Sequence, residues 1–315
     1  MKRLAAFTVL SWVALQLSGV GAAIGPAAGP QEPSPDRTQP PSADGKLNII
    51  AFGAHPDDCD QRAGGIAAKY AALGHRVRFV AVTNGDAGHM SEGGGQLAMR
   101  RRKEAEESAR RLGIEYVVLD NHDGELLPDL RVREQLIRQI RQWQADLVLA
   151  PRPNDYHPDH RYTGVLVQDA AFMVTVPNVT PDTPALRKNP VFMYFEDGFQ
   201  KPAPFRPDVA IPIDDVLDKK IDALDAHVSQ MYEWLPWHDG TLDQVPKDPA
   251  ARKAWLKNSR SREISPAIRE AVARWYGADV AKNATAVESF EVCEYGARPD
   301  EAMLRKLFPF TAAAR

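Results

Sequence analysis

Cysteine is scarce in this sequence, with two in 315 residues, which excludes a fold stapled by disulfides. Cys59 and Cys293 could pair in an oxidising compartment, but nothing in the sequence supplies the geometry, and they are expected to stay free. Charge of one sign is also lacking: 39 basic and 42 acidic residues leave a net −3. No long-range field follows, so nucleic acid is not an expected partner. A phosphate-cradling P-loop is missing too, because the glycine run at 93–95 is not followed by Lys and Ser/Thr. No internal repeat is visible. What is present, 44% hydrophobic and 26% charged residues, suits a soluble, globular chain of enzyme size.

The N-terminal apolar run from Leu4 to Leu17 is shorter than the ~20 residues a spanning helix needs. Lys2 and Arg3 precede it and small residues ending at Ala22 and Ala23 follow, the pattern of a secretory signal peptide over residues 1–23. Export to the periplasm or the extracellular space is therefore expected, with no stable membrane insertion after cleavage. Residues 24–45, dominated by Pro, Ala, Ser, Gln and Gly, read as a disordered Pro-rich linker. The remainder, 46–315, is expected to form the working domain with a C-terminal extension.

Within it, apolar runs alternate with amphipathic ones. Strands are predicted at 47–54, 77–83, 114–120 and 145–150, and helices at 65–73, 96–112 and 131–143. Further strands are expected from 191, from 208 and over 287–295, a long helix from 215 to 235, and a last helix near 268–276. The alternation predicts an α/β fold, Rossmann-like, with a mostly parallel sheet flanked by helices and a C-terminal elaboration. In such folds ligands gather at the carboxyl ends of the strands.

Two loops rich in His and Asp fall at such ends: Ala54-His55-Pro56-Asp57-Asp58 after the first strand, and His157-Pro158-Asp159-His160 after the fourth. Either alone fits a solvated, Pro-containing turn. Together they suit a divalent metal of borderline hardness, with His55 and Asp58 as ligands, His160 as the best third, and Asp57 left free for another task. Of the two histidines in the second loop, one can ligate and the other assist.

These two motifs resemble those of the zinc-dependent deacetylase family that includes the phosphatidylinositol-glycan GlcNAc deacetylase, mycothiol-pathway deacetylases and LmbE-like proteins. The resemblance covers roughly residues 47–235, including Arg101-x-x-Glu104 before Leu112-Gly113, the Asp123-Gly124 pair and His227-x-Ser229-Gln230. It implies one Zn2+ per chain on His55, Asp58 and His160, and Asp57 as general base. His157 would stabilise the oxyanion, with Asp159 holding its charged form, and Arg101 and Asp123 would face the sugar. The implied reaction removes an N-acetyl group from a small-molecule or glycan substrate containing an amino sugar. From the residues alone, Arg101 and Glu104 equally fit a surface ion pair three apart on a helix, Asp123 a turn, and His227 a satisfied helix-face histidine.

One departure is Cys59, where the family usually has Glu, followed by Asp60; the thiol is expected to be an inert neighbour. Tyr156 is the nearest tyrosine that could serve as an acid. The rival activities are a two-metal phosphoesterase built from the same residues and a non-catalytic zinc- or carbohydrate-binding protein.

Overall fold

The structure, a computed structural model, describes residues 45–261 and 263–311. The expected signal peptide, and the expected linker up to residue 44, lie outside the described residues. Seven strands form one sheet: β1 (Asn48–Gly53), β2 (Arg76–Thr83), β3 (Glu115–Asn121), β4 (Leu147–Ala150), β5 (Val191–Phe195), β6 (Val209–Pro212) and β7 (Val287–Cys293). The order is β3-β2-β1-β4-β5-β7-β6, with β1 to β5 parallel and β7 antiparallel to both neighbours. The mostly parallel sheet expected from the alternation is present.

The helices are α1 (Asp58–Ala72), α2 (Gly94–Leu112), α3 (Leu130–Trp143), α4 (Pro158–Met173), α5 (Leu217–Asp225), α6 (Leu235–His238), α7 (Pro249–Ser259), α8 (Pro266–Tyr276), α9 (Ala278–Asn283) and α10 (Glu301–Leu307). None of the described helices is long and apolar enough to cross a membrane. Successive side chains of β1 point to opposite faces, so Ile49 and Ala51 join one apolar cluster with α1, α5 and α8, while Ile50 and Phe52 join another with α3 and α4. Burying each such Ile or Phe contributes about 1.5–3 kcal/mol.

Two differences from the sequence expectation matter for function. Helix α1 begins at Asp58 rather than Gly65, because Asp58 and Asp60 in the first turn favour a helix N-terminus. The helix expected over 215–235 is broken into α5, a π turn at Ser229–Trp234 and α6. Glu104 of α2 accepts hydrogen bonds from the backbone N–H of Ser229 (2.9 Å) and from its hydroxyl (2.6 Å), offering an alternative to a helical carbonyl at that point.

β7 joins the C-terminal part to α1 through one side chain. The buried carboxylate of Glu288 accepts hydrogen bonds from the backbone N–H groups of Gly65 and Ile66, each at 2.8 Å, and pairs with Lys220 of α5 at 2.7 Å. Lys220 also donates to the Gln61 carbonyl at 2.8 Å. Glu288→Ala strands a buried ammonium and two amides, so it is expected to lower stability by about 3–5 kcal/mol. Urea denaturation checks this; a loss under 1 kcal/mol would show that the pair holds nothing together.

Candidate active site

Parallel strands place the loops after β1, β2, β3 and β4 at one edge of the sheet, and the site is built there. Asp57 closes the first loop with φ 157° and ψ −19°, a conformation rarely adopted by a residue with a Cβ. Its N–H, and that of Asp58, donate to the His55 carbonyl at 2.9 and 3.2 Å, which holds the turn. Gly53 makes room for it: a Cβ there would stand 2.6 Å from that of Asp58. The second loop ends in a helix rather than continuing as a turn. His157 caps α4, Pro158 opens it, and His160 projects from its first turn.

The two loops bring three donor atoms together. His55 Nδ1 and Asp58 Oδ2 are 3.5 Å apart, His160 Nε2 and Asp58 Oδ2 3.5 Å, and His160 Nε2 and His55 Nδ1 3.3 Å. A point equidistant from the corners of that triangle lies about 2.0 Å from each, the bond length of zinc to imidazole nitrogen or carboxylate oxygen. Each ligand-type group is held from behind. His160 Nδ1 lies 3.0 Å from Asp155, and His55 Nε2 lies 3.0 Å from Asp123 and 3.4 Å from Asp159, with no partner aligned for a hydrogen bond. Carboxylates behind imidazoles of this kind orient metal ligands and raise their basicity.

The electrostatics point the same way. Burial disfavours a charged His55, yet the carboxylates of Asp123, Asp159 and Asp58 outweigh it and hold the ring well above its ordinary pKa. Burial also acts against a charged Asp58, but His160 and His55 pull its carboxyl far below the usual range. Asp123, likewise opposed by burial, is drawn to about 2 by His55 and Arg101. These acids favour positive charge at this place, a demand a divalent cation fits.

Asp57, 4% exposed, stands apart from the triangle's donor set. Its Oδ1 accepts from Arg101 Nη2 and its Oδ2 from Gln61 Nε2, both at 2.9 Å. Burial raises its pKa and Arg101 pulls it back, leaving it above the ordinary value. Arg101 and Asp123, expected against a sugar, are turned inward: Arg101 is 2% exposed and reaches Asp57, the Gly85 carbonyl (3.1 Å) and Asp123 (3.6 Å). Helix α2 lays Arg101 on its buried face, where it positions the acids around it, and Asp123 reaches the same place from the loop after β3. Glu104 pairs with Arg100 and Ser229, not with Arg101.

Asp159 corrects another expectation. Its carboxylate accepts from the N–H groups of Gly124 (2.7 Å) and Leu126 (3.3 Å) and faces His55, so it is committed away from His157. His157 Nδ1 instead accepts the Asp159 N–H at 3.2 Å. Burial, with His55 and His160 nearby, pushes the His157 pKa down. A neutral ring with an occupied Nδ1 carries its proton on Nε2 and remains a donor.

Cys59 is fully buried, its thiol donates to the Ala51 carbonyl at 3.4 Å, and burial pushes its pKa well up. It is an inert core thiol; both cysteines are free. The neighbouring Asp60 pairs with the buried His227 at 3.2 Å. Tyr156, 72% exposed, stacks edge-on to His157 and His160 at the mouth. A further His/Glu group, His89, Glu92 and Glu233, is spanned by Arg100, which lies 2.8 Å from Glu92 and 2.7 Å from Glu233, and so reads as an ion-pair network securing the loop after β2. Sequence reasoning missed Gln61 and Asp155, although Gln61 stands one helical turn after Asp57 and Asp155 two residues before His157.

Residues 50–171 match the family model described as PIG-L: GlcNAc-PI de-N-acetylase. The chain is 27% identical over 197 residues to 4-oxalmesaconate hydratase of Pseudomonas putida, which covers 59% of this chain and 75% of that protein. It is 26% identical over 187 residues to mycothiol S-conjugate amidase of Streptomyces coelicolor, covering 50% of this chain and 63% of the amidase. Among solved structures, N,N'-diacetylchitobiose deacetylase from Pyrococcus horikoshii is similar with a TM-score of 0.59 and 28% identity, over 78% of this chain and 84% of that one.

Removing the Arg101 guanidinium leaves Asp57 buried beside Asp58 with no cation in contact. Arg101→Leu is therefore expected to cost about 3–5 kcal/mol, and adding Asp57→Leu to recover more than half of it. Thermal and urea denaturation of the single and double variants measure the coupling; additive losses would sink it.

Proposed function

Because residues 50–171 form a PIG-L family domain with the fold of its deacetylases, we propose that the chain is a zinc-dependent N-deacetylase acting on an amino-sugar-containing substrate. The observation that carries this is the 3.3–3.5 Å triangle of His55, Asp58 and His160 with a separate buried carboxylate, Asp57, beside it. One ion would sit on those three side chains, and when bound it supplies a Lewis acid and brings the pKa of a water near 7.

The chain's own groups perform the proton work. Asp57, its pKa raised by burial, takes a proton from the attacking water and returns it to the leaving nitrogen. Arg101 and Gln61 hold both of its oxygens, so the carboxylate cannot rotate away during the transfer. His157, neutral and protonated at Nε2, donates to the carbonyl oxygen as negative charge grows there. Asp123 and Asp159 keep the His55 ring in place.

An amide substrate is supported by the amidase and the chitobiose deacetylase among the similar proteins; the hydratase shares with them the handling of water. We extend the proposal to export, on the basic, apolar and small-residue pattern of residues 1–23.

The test is metal content of purified protein together with acetate release from N-acetylated amino sugars, with and without chelator. One metal per chain and chelator-sensitive release are expected. Asp57→Asn should retain the metal and lose about a thousandfold in kcat. Turnover surviving in that variant, or two metals per chain with phosphate-ester cleavage, would overturn the proposal.

A further inference from the structure

Beside the site, along the same edge of the sheet, lies a cavity of about 270 Å³. It is bounded by Gln61 and Arg62 of α1, Glu196 after β5, Ile213 after β6, Val287 at the start of β7 and Arg260 after α7. A much smaller recess, about 20 Å³, adjoins the triangle at Asp58 and His160, and Arg62 and Glu196 line both spaces. Gln61 is a second link, for its amide holds Asp57 while its residue walls the larger cavity. The cavity is therefore continuous in its walls with the reacting centre, and its size is near the lower end of small-molecule sites.

Most of its charges are already answered. Lys220 pairs with Glu288, Lys257 with Asp218 at 2.6 Å, and Glu196 accepts from the Ser289 hydroxyl at 2.7 Å. Arg260 is the exception. It is half-buried, its Nε is buried without a hydrogen-bond partner, and among the described residues no carboxylate forms an ion pair with it. Arg62 donates only to the Glu196 carbonyl, at 3.0 Å. Glu263 stands exposed at the rim and pairs with neither. Burial lowers the Arg260 pKa; the acids that act on it from a distance are Asp57 and Asp239. A guanidinium partly withdrawn from water without an anion is costly, and its planar fork matches carboxylate and phosphate oxygens.

We propose that Arg260, assisted by Arg62, forms a subsite for an anionic substituent, a carboxylate or a phosphate, on the N-acylated amino sugar. This rests on the deacetylase reading for the sugar, while the anion preference stands on the cavity. Residue 260 lies outside the stretch matched to the family model and Arg62 within it, so the subsite joins this chain's C-terminal part to the matched stretch.

The experiment uses metal-loaded full chain, wild type and Arg260→Gln, with N-acetylglucosamine, N-acetylglucosamine 6-phosphate and N-acetylmuramic acid as probes. Binding is read by calorimetry in the Asp57→Asn background, and kcat/KM by acetate release. Wild type is expected to favour at least one anionic probe about tenfold over the neutral sugar, and Arg260→Gln to abolish that ratio. Arg260→Lys, keeping the charge, should retain part of it, which separates loss of charge from loss of fold. The phosphate and carboxylate arms identify the anion. An anionic-to-neutral ratio unchanged in Arg260→Gln, or a wild type that prefers the neutral sugar, overturns the subsite. Charge-dependent binding without any acetate release supports the subsite and overturns only the deacetylase reading.

Discussion

Four carboxylates, those of Asp57, Asp58, Asp123 and Asp159, meet at the carboxyl edge of the sheet in a space largely closed to water. Carboxylates so close cannot all ionise unless cations are supplied to them. The guanidinium of Arg101 answers two, and the imidazoles of His55 and His160 stand against the others, with His55 favoured in its charged form despite its burial. The rest of the local structure follows from keeping these charges in register. Gly53 lets β1 approach Asp58, Asp57 is held in an unusual backbone conformation, and α2 gives two of its buried positions to Arg101 and Glu104.

Much of this was legible in the sequence because parallel α/β alternation fixes which strand ends share an edge. With strands near 47–54 and 145–150 in one parallel sheet, the His-Asp loops that follow them converge. The directions of the side chains were not legible. Arg101 sits in a charged run that fits a solvated helix face as readily as a buried one, and only packing against the loop after β2 decides between them. Asp159 lies two residues after His157 in sequence, but capping turns its carboxylate across to the amides of Gly124 and Leu126. The break after α5 escaped notice for a related reason: residues 215–235 keep a helical apolar pattern, and it is a distant acid, Glu104, that engages the first residue of the π turn.

The C-terminal part contributes to the site without supplying any of the metal-type donors. Its π turn delivers Ser229 to Glu104, Gln230 to the Gly88 carbonyl at 3.0 Å and Glu233 to Arg100, so one irregular turn braces both α2 and the loop after β2. π turns are unstable in isolation and persist where neighbours hold them, as these three contacts do.

The place of β7 has a consequence for the timing of assembly. It is the last of the described strands, yet it lies between β5 and β6, and β6 has no other described neighbour in the sheet. A chain emerging from its N-terminus can pair β1 to β5 and gather His55, Asp58 and His160 while β6 still waits for a partner some eighty residues downstream. The wall that carries Val287 and Glu288 thus closes only after the segments that bear those three side chains can already have met.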